Sequence, residues 1–178
     1  KACGNIGAIH RGKHIHSEIV YRGLLEKNVV VGNSLLDMYI KCGMLVKAQQ
    51  VLDEIPVRDV ISWSTLIAGY VEYGFGEVAL NCFEQMQHER IPRDAITFIY
   101  ILKACSSLGE LERGREIHLE IPPRYLEKYF FLGNAVVDMY LKCGSFVDAK
   151  DTFDKLQQRD LAPWHALIAG YAERGNSE

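Results

Sequence analysis

The sequence predicts an all-α protein, an α-solenoid of stacked helix-turn-helix repeats. Three observations predict it. First, "LLDMYIKCG" at Leu35–Gly43 returns 101 residues later as "VVDMYLKCG" at Val136–Gly144, and laying Val29–Gly74 on Phe130–Gly175 gives 21 identities in 46 positions. Second, "KACGNIGAIHRGKHIHSEI" at Lys1–Ile19 matches "KACSSLGELERGREIHLEI" at Lys103–Ile121 in 10 of 19 positions, at an offset of 102. Third, the apolar residues within this period recur at helical spacing, broken by glycines into pairs of short segments. Self-similarity at a fixed period is the mark of stacked copies of one small unit.

Taken in order, residues 1–28 read as the tail of a unit. The next is 29–59, which carries Gly32-Asn33, the "KCG" ending and Ala48. In 60–94, Trp63, Leu66, Ile67 and Tyr70 mark a first helix. Gly74 and Gly76 interrupt it, and Val78, Ala79, Leu80, Phe83 and Met86 mark a second, ended by Ile91-Pro92 and Arg93-Asp94. Unit 95–129 departs from the pattern at "IPPRYLEKY", where two prolines should stop the helix near Ile121. One residue is lost there, which explains the change of offset. Unit 130–160 repeats 29–59, and residues 161–178 read as the first helix of another unit. Two helices of about 12 residues cannot bury their apolar faces alone, so the hairpins must stack. Neither end of the chain carries a polar cap, so it reads as a window from a longer array.

Composition sets outer bounds. The chain has 178 residues, 48% hydrophobic and 24% charged, with a net charge of −3, so it should bury a core and is no strongly basic nucleic-acid binder. No apolar run approaches the roughly 18 residues of a membrane span. The five cysteines, Cys3, Cys42, Cys82, Cys105 and Cys143, form no CxxC pair or disulfide framework and read as reduced packing residues of an intracellular compartment.

Helical hairpins of 31 and 35 residues in fixed alternation, with small Ala48, Ala79 and Ala149 and aromatic Phe83 and Phe153 after them, resemble the pentatricopeptide repeat family. "LKACSSLGELERGREIH" resembles the long motif of its plant subclass of long, short and standard motifs. "GNAVVDMYLKCGSFVDAKDTFDKLQQRD" resembles the short motif and "WSTLIAGYVEYGFGEVALNCFEQM" the standard one. The resemblance implies a right-handed solenoid that binds single-stranded RNA at one base per repeat, most often for cytidine-to-uridine editing or other RNA processing in mitochondria or chloroplasts. It implies no DNA, no membrane, no cofactor and no enzymatic activity. Small organellar editing-factor proteins would dock on the long motif, 95–129.

On this resemblance the fifth residue of each unit points into the groove: Asn33, Ser64, Ile99, Asn134 and His165. The last residue meets the same base edge: Asp59, Asp94, Tyr129 and Asp160. The second residue, Val30, Ile61, Ile96, Phe131 or Ala162, would stack on bases, and Lys41 and Lys142 would meet phosphates. Asn with Asp implies uridine and Ser with Asp guanosine, while Ile99 with Tyr129 should be nearly silent. The order is 5′-U-G-N-U-3′. A plainer reading is open beside it: Asn33, Asn134 and the three aspartates as helix N-caps, and the two lysines as solvated helix ends.

Three apparent chemical motifs are set aside. His16-Ser17-Glu18 and His118-Leu119-Glu120 match H-x-E of the zinc deaminases, but no P-C-x-x-C follows and both fall at one place in a repeat helix. His10 and His14 lack a third metal ligand. Cys42 and Cys143 sit several hairpins apart and cannot pair. A second function class stays open, a protein-binding scaffold of the tetratricopeptide kind. Such a groove has no need of paired small polar residues at fifth and last positions.

Overall fold

The computed structural model describes residues 6–156 and Ile168. The helices are α1 (Ile6–Tyr21), α2 (Leu24–Lys27), α3 (Val29–Lys41), α4 (Leu45–Glu54), α5 (Val60–Glu72), α6 (Gly76–His88), α7 (Ala95–Leu108), α8 (Leu111–Glu120), α9 (Pro123–Lys128), α10 (Phe130–Lys142) and α11 (Phe146–Lys155). No strand occurs among the described residues. None of these helices is long and apolar enough to cross a membrane.

Two compact units divide the chain, Lys1–Pro92 and Arg93–Glu178. In the first, α3 and α4 form one hairpin and α5 and α6 the next; α5 packs on both α3 and α4, and α1 and α2 pack against α3. In the second, α7 pairs with α8 and α10 with α11, α10 packs on α7 and α8, and α9 lies against α10. The sequence expectation of stacked helical hairpins is met in each.

The "KCG" repeat has a local cause. Gly43 and Gly144 stand just past the ends of α3 and α10 with φ of 72° and 79°, the left-handed region where a side chain is strained. Their N–H groups return to the carbonyls of Ile40 and Leu141, and those of Met44 and Ser145 to Tyr39 and Tyr140. Each first helix is thereby closed and the chain turned into the second.

Packing follows the repeat. Ala48, Ala79 and Ala149 are fully buried where the helices cross, and Phe83 and Phe153 are buried one turn on. Trp63 is 2% exposed and its indole N–H donates to Glu89 Oε2 at 3.0 Å. Glu89 also pairs with Arg58, whose Nε donates to the Leu52 carbonyl at 2.9 Å, so the loop before α5 is tied to the hairpins on either side. Arg93 makes the corresponding pair with Glu120 in the second unit. Burial pushes the Cys82 and Cys105 thiols up to about 12, so both are inert packing groups.

The prolines of "IPPRYLEKY" do end α8, at Glu120, but they also start a helix. Pro123 is the first residue of α9, where a missing N–H costs nothing and the fixed φ suits the helix.

Candidate nucleic-acid interface

Asn33 lies one turn inside α3, too late to cap it; that cap is Asn28, whose Oδ1 accepts the Val30 N–H at 2.9 Å. Asn134 likewise lies inside α10, so the N-cap reading fails for both asparagines. Asp59 and Asp94 do cap, at the starts of α5 and α7. Asp94 Oδ1 accepts the Thr97 N–H at 2.8 Å and its hydroxyl at 2.7 Å.

In unit 29–59 the fifth and last residues meet. Asn33 Nδ2 donates to Asp59 Oδ1 at 3.2 Å and stands 3.4 Å from Oδ2. Asp59 Oδ1 also accepts the Ser62 N–H at 2.8 Å, while the Ser62 hydroxyl accepts the Asp59 N–H at 3.3 Å, a reciprocal capping box. That hydroxyl lies 2.7 Å from Asn33 Oδ1 and 2.9 Å from Asp59 Oδ1. Burial pushes the Asp59 carboxyl up, but the Ser62 N–H, the Ser62 hydroxyl and the Asn33 amide outweigh it, and the group ends below the usual aspartate range. Capping and pairing are therefore joint tasks of one carboxylate. Sequence reasoning missed Ser62, which looked like one more position of an apolar helix.

Ser64 is half-buried on α5, with its hydroxyl turned to the Ile61 carbonyl at 3.3 Å. Asn134 Oδ1 is buried and has no hydrogen-bond partner among the described residues. Asp160, Ala162 and His165 lie outside the described residues.

The second residues share one property. Val30, Ile61, Ile96 and Phe131, all near the starts of first helices, are exposed, at 64%, 56%, 47% and 38%. Val30, Ile61 and Ile96 are exposed at equivalent places where burial does not explain a large apolar side chain, while Phe131 packs on its aromatic neighbours. At Tyr129 the pattern changes. Its ring stands 5.5 Å from Phe131 and 5.7 Å from Tyr125, with Lys128 Nζ 5.0 Å above its face. Lys41 and Lys142 end α3 and α10 and pair with Asp37 at 2.6 Å and Asp138 at 2.7 Å on the exposed surface. Pairs of that kind are weak and open readily.

The H-x-E histidines are ties between helices. His16 Nδ1 lies 3.0 Å from the Tyr39 hydroxyl and its Nε2 3.1 Å from Glu54; His118 Nδ1 lies 2.9 Å from the Tyr140 hydroxyl. Burial, with Lys155 nearby, holds the His118 pKa below the usual value. Among the described residues no three His, Cys, Asp or Glu side chains gather as metal ligands.

Comparison with known proteins bears on this arrangement. A model described as the PPR repeat family matches residues 58–107, and one described as the PPR repeat matches 33–60 and 134–161. Together they cover more than half of the chain. A chloroplastic pentatricopeptide repeat-containing protein of Arabidopsis thaliana is 36% identical over 99% of this chain and 28% of its own length. A putative mitochondrial one from the same plant is 35% identical over 98% and 28%. The chain thus spans about a quarter of the length of these curated relatives. The crystal structure of PPR10 in complex with an 18-nt psaJ RNA element is similar with a TM-score of 0.77 and 16% identity, over 96% of this chain and 26% of that one. At that identity the likeness speaks to the fold.

Proposed function

Because the chain belongs to the pentatricopeptide repeat family, we propose that it binds single-stranded RNA, one base per repeat. The observation that carries this reading is the Asn33–Asp59 hydrogen bond, which joins the fifth and last residues of one unit beside the exposed Val30 and Ile61. Paired amide and carboxylate groups offer a donor and an acceptor to a base edge, and flanking apolar side chains offer faces for stacking. PPR10 is a relative in fold that carries RNA in its crystal.

Unit 29–59 with Asn33 and Asp59 reads uridine, and so does 130–160 with Asn134 and Asp160. Unit 60–94 with Ser64 and Asp94 reads guanosine. Unit 95–129, with Ile99 and Tyr129, reads none by hydrogen bond; Tyr129 and Phe131 give it aromatic faces instead. The site is 5′-U-G-N-U-3′, and Lys41 and Lys142 meet phosphates. The motif order is that of the plant subclass with long, short and standard motifs, whose members select sites for cytidine-to-uridine editing or other processing in an organelle, with editing-factor proteins docking on 95–129. Two of the relatives carry chloroplastic and mitochondrial in their names.

The test exchanges one letter. Ser64→Asn should move the preferred base at the second position from G to U and leave the other positions alone. A good base contact contributes about 1–3 kcal/mol of discrimination, a scale taken from DNA recognition. Anisotropy titrations against all four bases at that position decide it. An unchanged preference would remove base reading from Ser64.

A further inference from the structure

We infer that Phe131, held in place by Tyr129, makes the third position of the site prefer a purine, so that unit 95–129 selects by ring size where it has no side chain to select by hydrogen bond. The inference rests on the RNA-binding role proposed above and gives the unspecified letter of 5′-U-G-N-U-3′ a value.

Two helix starts define the place. Ile96 and Phe131 hold the second positions of units 95–129 and 130–160, on α7 and α10, which pack together in the unit Arg93–Glu178. Both side chains are exposed. A base seated between them meets an aliphatic side chain on one side and an aromatic ring on the other. At the place of Phe131, unit 29–59 carries Val30. The Phe131 ring is braced. Tyr129 stands 5.5 Å from it at a tilt of 41°, and Phe130 5.6 Å from it, near perpendicular at 72°. Tyr129 meets Tyr125 edge-on at 5.7 Å, and Tyr125 meets Phe98 of α7 at 6.5 Å. Phe98 is 1% exposed, so the run of rings is anchored in the core. A ring already held by its neighbours loses little freedom when a base stacks on it, and more of the contact appears as affinity.

Charge points to the same occupant. Arg124 and Lys128 are four residues apart on α9 and share a face. Arg124 stands 5.6 Å from the Tyr125 ring and Lys128 5.0 Å from the Tyr129 ring, and neither pairs with a carboxylate among the described residues. The acidic residue of α9, Glu127, lines a groove with Pro123 and Leu126 and with Thr152 and Lys155 of α11, and neither Arg124 nor Lys128 lines it. Rings beside unpaired cations suit a nucleotide, with faces for the base and positive charge for its phosphate. At the base edge, Ile99 has no donor or acceptor, and Tyr129 stands where Asp59 and Asp94 end their units. With no edge read, ranking falls to stacking area. The two fused rings of a purine cover more of Phe131 than the single ring of a pyrimidine. Phe131 borders the fourth base as well, where edge reading by Asn134 decides the letter.

The experiment measures affinity for RNAs carrying 5′-U-G-N-U-3′ with A, G, C, U or an abasic nucleotide as N, for the wild type, Phe131→Val, Phe131→Tyr and Tyr129→Leu. The wild type should bind A and G about three- to tenfold more tightly than C and U, with the abasic RNA weakest. Phe131→Val, which installs the residue unit 29–59 carries there, should level the four bases, and Phe131→Tyr should keep the preference. Tyr129→Leu should reduce the purine preference at the third position alone, whereas damage to the fold would weaken all the RNAs alike. Three results each overturn the inference and leave base reading standing: a flat third position in a wild type that still discriminates at the first two, ratios unmoved by Phe131→Val and Tyr129→Leu, as for a face that docks a protein, or a gap between A and G as wide as that between purines and pyrimidines. Failure of the wild type to bind any of these RNAs defeats the RNA-binding role, and the inference with it.

Discussion

The chain enters α5 and α10 by two different devices. At Arg58-Asp59 the entry is polar: Asp59 caps α5, holds Asn33 and is itself ringed by donors, while Arg58 is fixed by Glu89 and the Leu52 carbonyl. At Lys128-Tyr129 no side chain caps α10. The entry is aromatic, with Tyr125, Tyr129, Phe131 and Phe130 in a run of edge and tilted contacts under Arg124 and Lys128. A carboxylate holds direction and distance and ties the entry to a particular side chain. Ring faces hold position by area and quadrupole, and tolerate many partners. The difference teaches that one repeat architecture can start its first helices either by a carboxylate that fixes one particular side chain or by ring faces that hold whatever packs on them.

The largest blow to the polar device is Trp63→Ala. It removes a fully packed indole and one of the two partners of Glu89, and should cost about 3–5 kcal/mol, read as a fall in the urea midpoint of the unit Lys1–Pro92. Trp63→Phe should cost distinctly less. A loss under 1 kcal/mol for the alanine variant would mean that this entry is not fastened through Trp63.

Next comes acid. The folded Asp59 carboxyl holds its proton less tightly than an ordinary aspartate. Its stabilisation is therefore full above the unfolded aspartate pKa and is lost as pH falls through the depressed folded value. Asp59→Ala should cost about 1 kcal/mol near neutral pH, the worth of a good cap, and should flatten the acid limb of stability. Tyr129→Ala should cost a similar amount, about 0.5–1.5 kcal/mol for its ring contacts, and leave the acid limb unchanged. Parallel acid melts of the two variants sharpen the comparison, and identical pH profiles would erase it.

The smallest effect belongs to the lysines. Lys41→Ala breaks an exposed pair with Asp37 and should shift stability by less than about 0.5 kcal/mol. If Lys41 meets a phosphate, the slope of log affinity for RNA against log salt should fall by about 0.7. An unmoved slope assigns the residue to the helix end alone.

The helices and the glycine interruptions were legible in residue type and spacing, whereas the pairing of fifth with last residues was implied only by the family resemblance. Gly43 and Gly144 announce a left-handed turn, and Asn33 and Asp59 recur as Asn134 and Asp160. Less visible was the cap of α3. Gly-Asn at 32–33 looked like a helix start, yet Asn28 begins the helix, and Gly32 is there because a Cβ would strike Ile55 Cδ1 at 2.6 Å. Close approach between distant residues leaves no local signature. The two prolines were read as a stop and not also as a start, although proline suits the first position of a helix. Ser62 was hidden by its surroundings, and only its replacement by Pro163 in the second copy marks it as a place where the copies differ in chemistry.

Recombination and protein engineering both treat such arrays as beads that can be exchanged. The Ser62 hydroxyl makes the 59/60 boundary the wrong place to cut. A cassette ending at Asp59 leaves behind the hydroxyl beside Asn33 and the N–H on the Asp59 carboxylate, and sets both side chains against whatever stands third in its new neighbour. A cassette that runs on through Ser62 would carry the Asn33–Asp59–Ser62 cluster whole.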